Sequence, residues 1–169
     1  MDIPFNNKVG TKRYMAPELL DESINENIFD CWKRADVYSL GLVYWELARR
    51  CEHSQTRAEE YQMPYYQDVN SDPSIEDMKE VVCDRRIRPL IPDAWEQFEV
   101  GLAVLFKKNI FILFIQPLKI LAKVMKECWF ENASARLSAL RIKKTLAALR
   151  NLRENGILED PEKKVEAQG

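Results

Sequence analysis

Few side chains in this 169-residue chain are able to do chemistry, and their spacing narrows the choice further. His53 is the only histidine, set in the polar stretch Cys51 to Ala58, and no acid or nucleophile stands at a spacing that would pair with it for proton transfer. It reads as a solvent-exposed loop residue. Cys31, Cys51, Cys83 and Cys128 form no Cys-x-x-Cys pair and have no histidine at ligand spacing, a pattern that argues against zinc and for a reducing compartment. What remains is Val9 to Glu18, Val-Gly-Thr-Lys-Arg-Tyr-Met-Ala-Pro-Glu, which brings the hydroxyl of Thr11, the phenol of Tyr14 and the carboxylate of Glu18 into one short run. Ala16-Pro17-Glu18 alone would recur by chance. The longer pattern Gly10-Thr11-x-x-Tyr14-x-Ala16-Pro17-Glu18 is specific.

The rest of the chain must hold that run. At 46% hydrophobic and 31% charged residues the composition is that of an ordinary globular chain, long enough for one domain's core. A formal charge of -2 leaves no electrostatic footprint for nucleic acid or an anionic membrane, and those partner classes drop out. No basic segment precedes an apolar one at the amino terminus, so no signal peptide is read. Val9 to Pro17 is expected to be extended or looped, since proline disfavours helix in the residue before it. Pro17 can then open a short helix through Leu20, and Asn25 to Asp30 is expected to be loop. Asp36 to Arg50 is apolar on nearly every side, from Val37 through Ala48, and so predicts a buried central helix. It begins with an acid and ends with two arginines, as the helix dipole favours. At about 15 residues it falls short of the roughly 20 that a bilayer takes.

Tyr61 to Pro73 is a long connection in which Tyr61, Tyr65 and Tyr66 are expected to pack beneath that helix, a recognition surface being the alternative. Asp72 is placed to cap a following helix with Pro73 at its first position, and Ser74-x-x-Asp77 offers a capping box one turn later. Ile75, Met78, Val81 and Val82 make its apolar stripe, which ends at Arg88-Pro-Leu-Ile-Pro92. A further helix places Leu118, Leu121, Met125 and Cys128 or Trp129 on one face, and Asn132 to Ala135 is a polar turn. A last helix starts near Ser138, turns Ile142, Leu146 and Leu149 inward, and sets Arg141, Lys143, Lys144 and Arg150 outward as a solvated face able to meet an acidic partner. Residues from 156 on are expected to be a disordered tail.

Taken together, Gly10 to Glu18, Asp36-Val-Tyr-Ser-x-Gly41, Arg88-Pro-x-x-Pro92, and Glu127-Cys-Trp129 followed by Ala135-Arg-Leu137 resemble the carboxyl-terminal lobe of a protein kinase. More narrowly, Val9 to Glu18, Arg49-Arg-Cys51, Glu60 to Tyr66, Ser71-Asp-Pro-Ser74 and Ala135 to Leu146 resemble type I receptor serine/threonine kinases of the transforming-growth-factor-β, activin and bone-morphogenetic-protein superfamily. The resemblance runs from about Asp2 to about Leu149. It implies a mainly α fold, the carboxyl-terminal lobe of a kinase without its amino-terminal lobe, occupying residues 1–155. It implies substrate positioning by Thr11, Tyr14 and Met15, an ion pair of Glu18 with Arg136, and Asp36 as the anchor of a catalytic loop. For the parent receptor it implies ATP with Mg or Mn as cofactor, a type II receptor and receptor-regulated Smads as partners, and the cytoplasmic side of the plasma membrane. No nucleic-acid partner and no membrane span in this chain are expected.

Two departures qualify the resemblance. Phosphoryl transfer needs a Gly-rich phosphate loop, a lysine, a catalytic-loop aspartate and asparagine, and the metal-binding aspartate of Asp-Phe-Gly. The sequence contains no Gly-x-Gly-x-x-Gly, no His-Arg-Asp and no Asp-Phe-Gly, so the chain by itself is expected neither to bind ATP nor to transfer phosphate. A catalytically inactive module competing for Smads or receptors is the alternative. Second, Val100 to Gln116 is apolar apart from Lys107-Lys108 and shows no helical rhythm; without it Glu99 would join Pro117-Leu118-Lys119 and the family's pattern would be restored. The segment reads as translated intron, with lysines at its middle that argue against a membrane span, since each costs about 2.5 to 3.5 kcal/mol at the bilayer centre.

Overall fold

A computed structural model describes residues 12–51, 58–96 and 117–154. Thr11, His53, the apolar segment at 100–116 and the tail from 156 lie outside the described residues. The described residues are helical and hold no strand, consistent with the mainly α lobe fragment expected from the sequence. After a 3-10 turn at Lys12–Tyr14 come α1 (Pro17–Leu20), α2 (Phe29–Arg49), α3 (Ile75–Lys79), α4 (Asp93–Glu96), α5 (Pro117–Cys128) and α6 (Ala139–Glu154).

The central helix is longer than its apolar run. α2 starts at Phe29, where loop was expected, because its first turns are held by side-chain contacts rather than by intrinsic propensity. Asp30 sits in the first turn, where the dipole favours an acid. It pairs with Lys33 at 3.2 Å and Arg34 at 2.7 Å, the i+3 and i+4 spacings that meet on a helix surface. Arg34 Nη1 also donates to the carbonyls of Ala133 and Ser134, tying the helix start to a distant turn.

Nor is α2 buried all round. Tyr38, Leu42, Trp45 and Ala48 are at most 1% exposed, but Val43 is 41% and Leu47 55% exposed, and Asp36 is exposed too. An apolar sequence thus leaves one open side, Asp36, Val43 and Leu47 with half-buried Leu40. The opposite side is the core. Burial of Trp45, Tyr38 and Leu42 at roughly 1.5–3 kcal/mol each is what fixes α2 in place.

α5 lies along the buried side of α2, turning in Leu118, Ala122, Met125 and Cys128. The close approach is at Gly41, where an added Cβ would lie 2.6 Å from Trp129 Nε1 and 2.8 Å from Cys128 Cβ. Only glycine fits there. Asp72 does not cap α3 but faces Lys12 at 3.6 Å; the helix starts instead at Ser74, whose side chain accepts from Asp77 N while Asp77 accepts from Ser74 N. Beyond Lys79 the chain widens into a π-type turn, Glu80–Asp84, that keeps Val81 and Val82 buried. The one-turn α4 was not legible in the sequence; it exists to bury Trp95, which is 1% exposed. Asn132 accepts from Ser134 N to shape the 3-10 turn Ala133–Ala135, and Ser138 Oγ accepts from Arg141 N at 3.3 Å at the start of α6.

Candidate functional site: the segment ending at Glu18

Residues 12–20 run as a 3-10 turn, a two-residue link at Met15 and Ala16, the latter extended, and one turn of helix. Pro17 occupies the first helical position, where its missing N–H costs nothing. Ala16 and Leu20 are buried and nail the segment to the core, while Tyr14 and Met15 are half-buried. Four attachments hold this short path.

At its end, Arg136 donates from Nη1 to Glu18 Oε1 at 2.6 Å and from Nη2 to Oε2 at 2.7 Å, the bidentate fork that only arginine provides. The Arg136 side chain is 0% exposed and that of Glu18 13%. The remaining donors are used as well: Nε to Phe130 O at 2.8 Å and Nη1 to Arg34 O at 3.0 Å. Its guanidinium carbon lies 5.1 Å from the Tyr38 ring centre, and that of Arg88 5.3 Å from the same ring. Tyr38 O–H and Tyr65 O–H pair at 2.7 Å, and burial pushes both phenols up from their ordinary pKa. The pair therefore stands on the core.

At its start, Arg13 is 4% exposed and spans the long connection, donating to the carbonyls of Pro64 at 2.8 Å and Ser71 at 3.3 Å and also to Asn70 O. In the middle, Ser39 Oγ donates to Tyr14 O at 2.7 Å, and Tyr14 O–H donates to the Glu46 carboxylate. Burial, then that bond, raises the Tyr14 phenol well above its ordinary value. Tyr61, 60% exposed, stands beside the same carboxylate, which raises its phenol too. Of the three tyrosines expected under α2, only Tyr65 is deeply buried; Tyr66 is 39% exposed.

Sequence reasoning named Tyr14, Met15, Glu18 and Arg136 and missed Arg13, Ser39 and Glu46. Glu46 had a signal, being the only acid between Val37 and Ala48. Arg13 had none, since nothing local marks a lysine or arginine for burial. Asp36 makes no hydrogen bond to a described residue and is exposed on the open side of α2, one turn before Ser39, which holds Tyr14 O.

The chemistry available is that of holding. A groove of about 440 Å³ beside Glu18 is lined by Pro17, Asp21, Cys83, Asp84 and Glu131, but burial raises the Cys83 thiol to about 11, which makes it a poor nucleophile at neutral pH. Among the described residues no three histidine, cysteine or acid side chains converge to hold a metal ion, and no helix is long and apolar enough to cross a membrane. What the geometry provides is a rigid, half-exposed edge at Tyr14 and Met15.

No family model matches the chain. Individual proteins do. The chain is 53% identical over 149 residues to activin receptor type-1C of Homo sapiens, 53% to activin receptor type-1B and 50% to TGF-beta receptor type-1 of the same organism, each time over 88% of its own length. The match spans 27%, 26% and 26% of those receptors, about a quarter of their length.

Proposed function

Because the chain belongs, over the stretch it shares with the activin and TGF-beta type I receptors, to the type I receptor serine/threonine kinase family, we propose that this stretch seats the protein substrate in a receptor that phosphorylates receptor-regulated Smads. The observation that carries the reading is the fixation of residues 12–18 from four sides with Tyr14 and Met15 left half-exposed. An edge held that firmly can orient a peptide without itself reorganising, which is how positioning lowers a barrier. Thr11, Tyr14 and Met15 are the positioning residues, and Glu18 with Arg136 is the brace behind them.

The open side of α2 supports the further reading of Asp36 as an anchor. An exposed carboxylate beside Leu40, Val43 and Leu47 suits a covering loop that presents backbone N–H groups amid apolar side chains. In the whole receptor the catalytic loop is that cover, the partners are a type II receptor and Smads, and the location is the cytoplasmic side of the plasma membrane. The Gly-rich, His-Arg-Asp and Asp-Phe-Gly motifs that would hold ATP and its Mg or Mn ion do not occur in these 169 residues. No step of phosphoryl transfer is assigned to them.

The test is a graft. Replacing the matched region of human activin receptor type-1C with this stretch is expected to give a kinase that phosphorylates Smad protein, and Tyr14→Phe in the graft is expected to raise KM for Smad while leaving KM for ATP unchanged. A folded graft that binds ATP and yet fails to phosphorylate Smad would overturn the reading. Should the ungrafted chain instead retain Smad in a pull-down, the inactive competing module is the better account.

A further inference from the structure

α6 points in a different direction. Averaged over the chain the charge is -2, but from Asn132 to Arg153 the sequence holds six bases and no acid. Arg136 is consumed by Glu18. The others gather on α6, which docks on the core through one line of side chains: Ile142 is 2% exposed, and Leu146 packs partly against the same core.

The opposite line is built differently. Leu140 is 61% exposed; Lys143 and Lys144, three and four residues on, are its neighbours on the helix surface; Ala147 closes the diamond, and Arg150 extends it. Arg141 stands at the edge, and all of these residues are exposed. Arg141, Lys143 and Lys144 make no ion pair with a described residue. The result is a convex, acid-free face with an apolar centre flanked by long cationic stems.

We propose that this face of α6 lies against an anionic lipid surface. Lysine stems can spread sideways and place their ammonium groups among lipid headgroups while Leu140 enters the boundary between headgroups and acyl chains. An acidic polypeptide would match the charges but would find no groove to seat in on a single exposed helix face. A lipid plane meets both needs at once. The whole-chain charge hid this face because no acid falls between Asn132 and Arg153 and the compensating acids lie elsewhere in the sequence. The proposal is independent of the substrate-seating reading above.

The experiment uses the full chain with sedimenting vesicles at low salt. Binding to phosphatidylserine-rich vesicles is expected, with little to pure phosphatidylcholine and steep weakening as salt is added. The triple variant Arg141→Gln, Lys143→Gln, Lys144→Gln should lower partitioning about a hundredfold while leaving the helical circular dichroism unchanged. Lys143→Arg with Lys144→Arg should bind as the parent does, and Leu140→Ser should weaken binding several-fold. Equal binding to both vesicle types, undiminished binding of the triple variant, or retention on polyglutamate without any vesicle binding would each overturn the proposal, the last in favour of an acidic protein partner.

Discussion

Removing one member of the Glu18–Arg136 pair is the perturbation with the most predictable consequence. In Glu18→Gln, one amide oxygen can still accept from Arg136, but the second guanidinium N–H then faces an amide N–H, and a side chain 0% exposed is left with its charge uncompensated. Breaking a buried pair this way costs about 3–5 kcal/mol, and the retained contact puts Gln at the low end, about 3. Arg136→Met belongs at the high end, about 5, because it also strands the carbonyls of Phe130 and Arg34, which Arg136 satisfies at 2.8 and 3.0 Å. For a chain of this size those losses lower the melting temperature by roughly 6–12 °C and 10–20 °C. The double variant should lose less than the sum, by about 2 kcal/mol, since no charge is then left alone. Urea and thermal unfolding followed by tryptophan emission measure all three, with Trp45, Trp95 and Trp129 as buried reporters. A Glu18→Gln loss below about 0.5 kcal/mol, or strict additivity in the double variant, would refute the argument that the segment is braced by a desolvated pair.

Gly41→Ala should destabilise by about 1–2 kcal/mol in the same assay, because the clash with Trp129 and Cys128 outweighs the helix propensity gained. Ser74→Ala should cost about 1 kcal/mol through loss of the capping box that starts α3. Alkaline pH should unfold the protein by linkage: burial raises the Cys128 thiol from 9.0 to about 12, so its contribution is fully present below 9.0 and is lost as pH rises through about 12; Cys128→Ala should flatten that part of the profile. Thiol labelling should proceed first at exposed Cys51 and last at buried Cys128.

Local chemistry made part of this architecture legible in advance. Pro17 as a helix opener, the Ser74–Asp77 box, the Ser138 start of α6 and the face of α5 all follow from interactions within one or two turns, and sequence spacing reports such interactions directly. The same residues, ordered as they are, also resembled the receptor family to which the chain proves similar. Other features depend on what arrives from far along the chain. α2 begins at Phe29 because Arg34 reaches carbonyls about a hundred positions away, and α4 forms because Trp95 has a core to enter. Whether an apolar side of α2 is covered depends on neighbours that spacing cannot supply, which is why Val43 and Leu47 read as core and stand in the open. Arg13 is the sharpest case: a guanidinium is buried only where carbonyls converge on it, and the three that do belong to a connection more than fifty residues downstream.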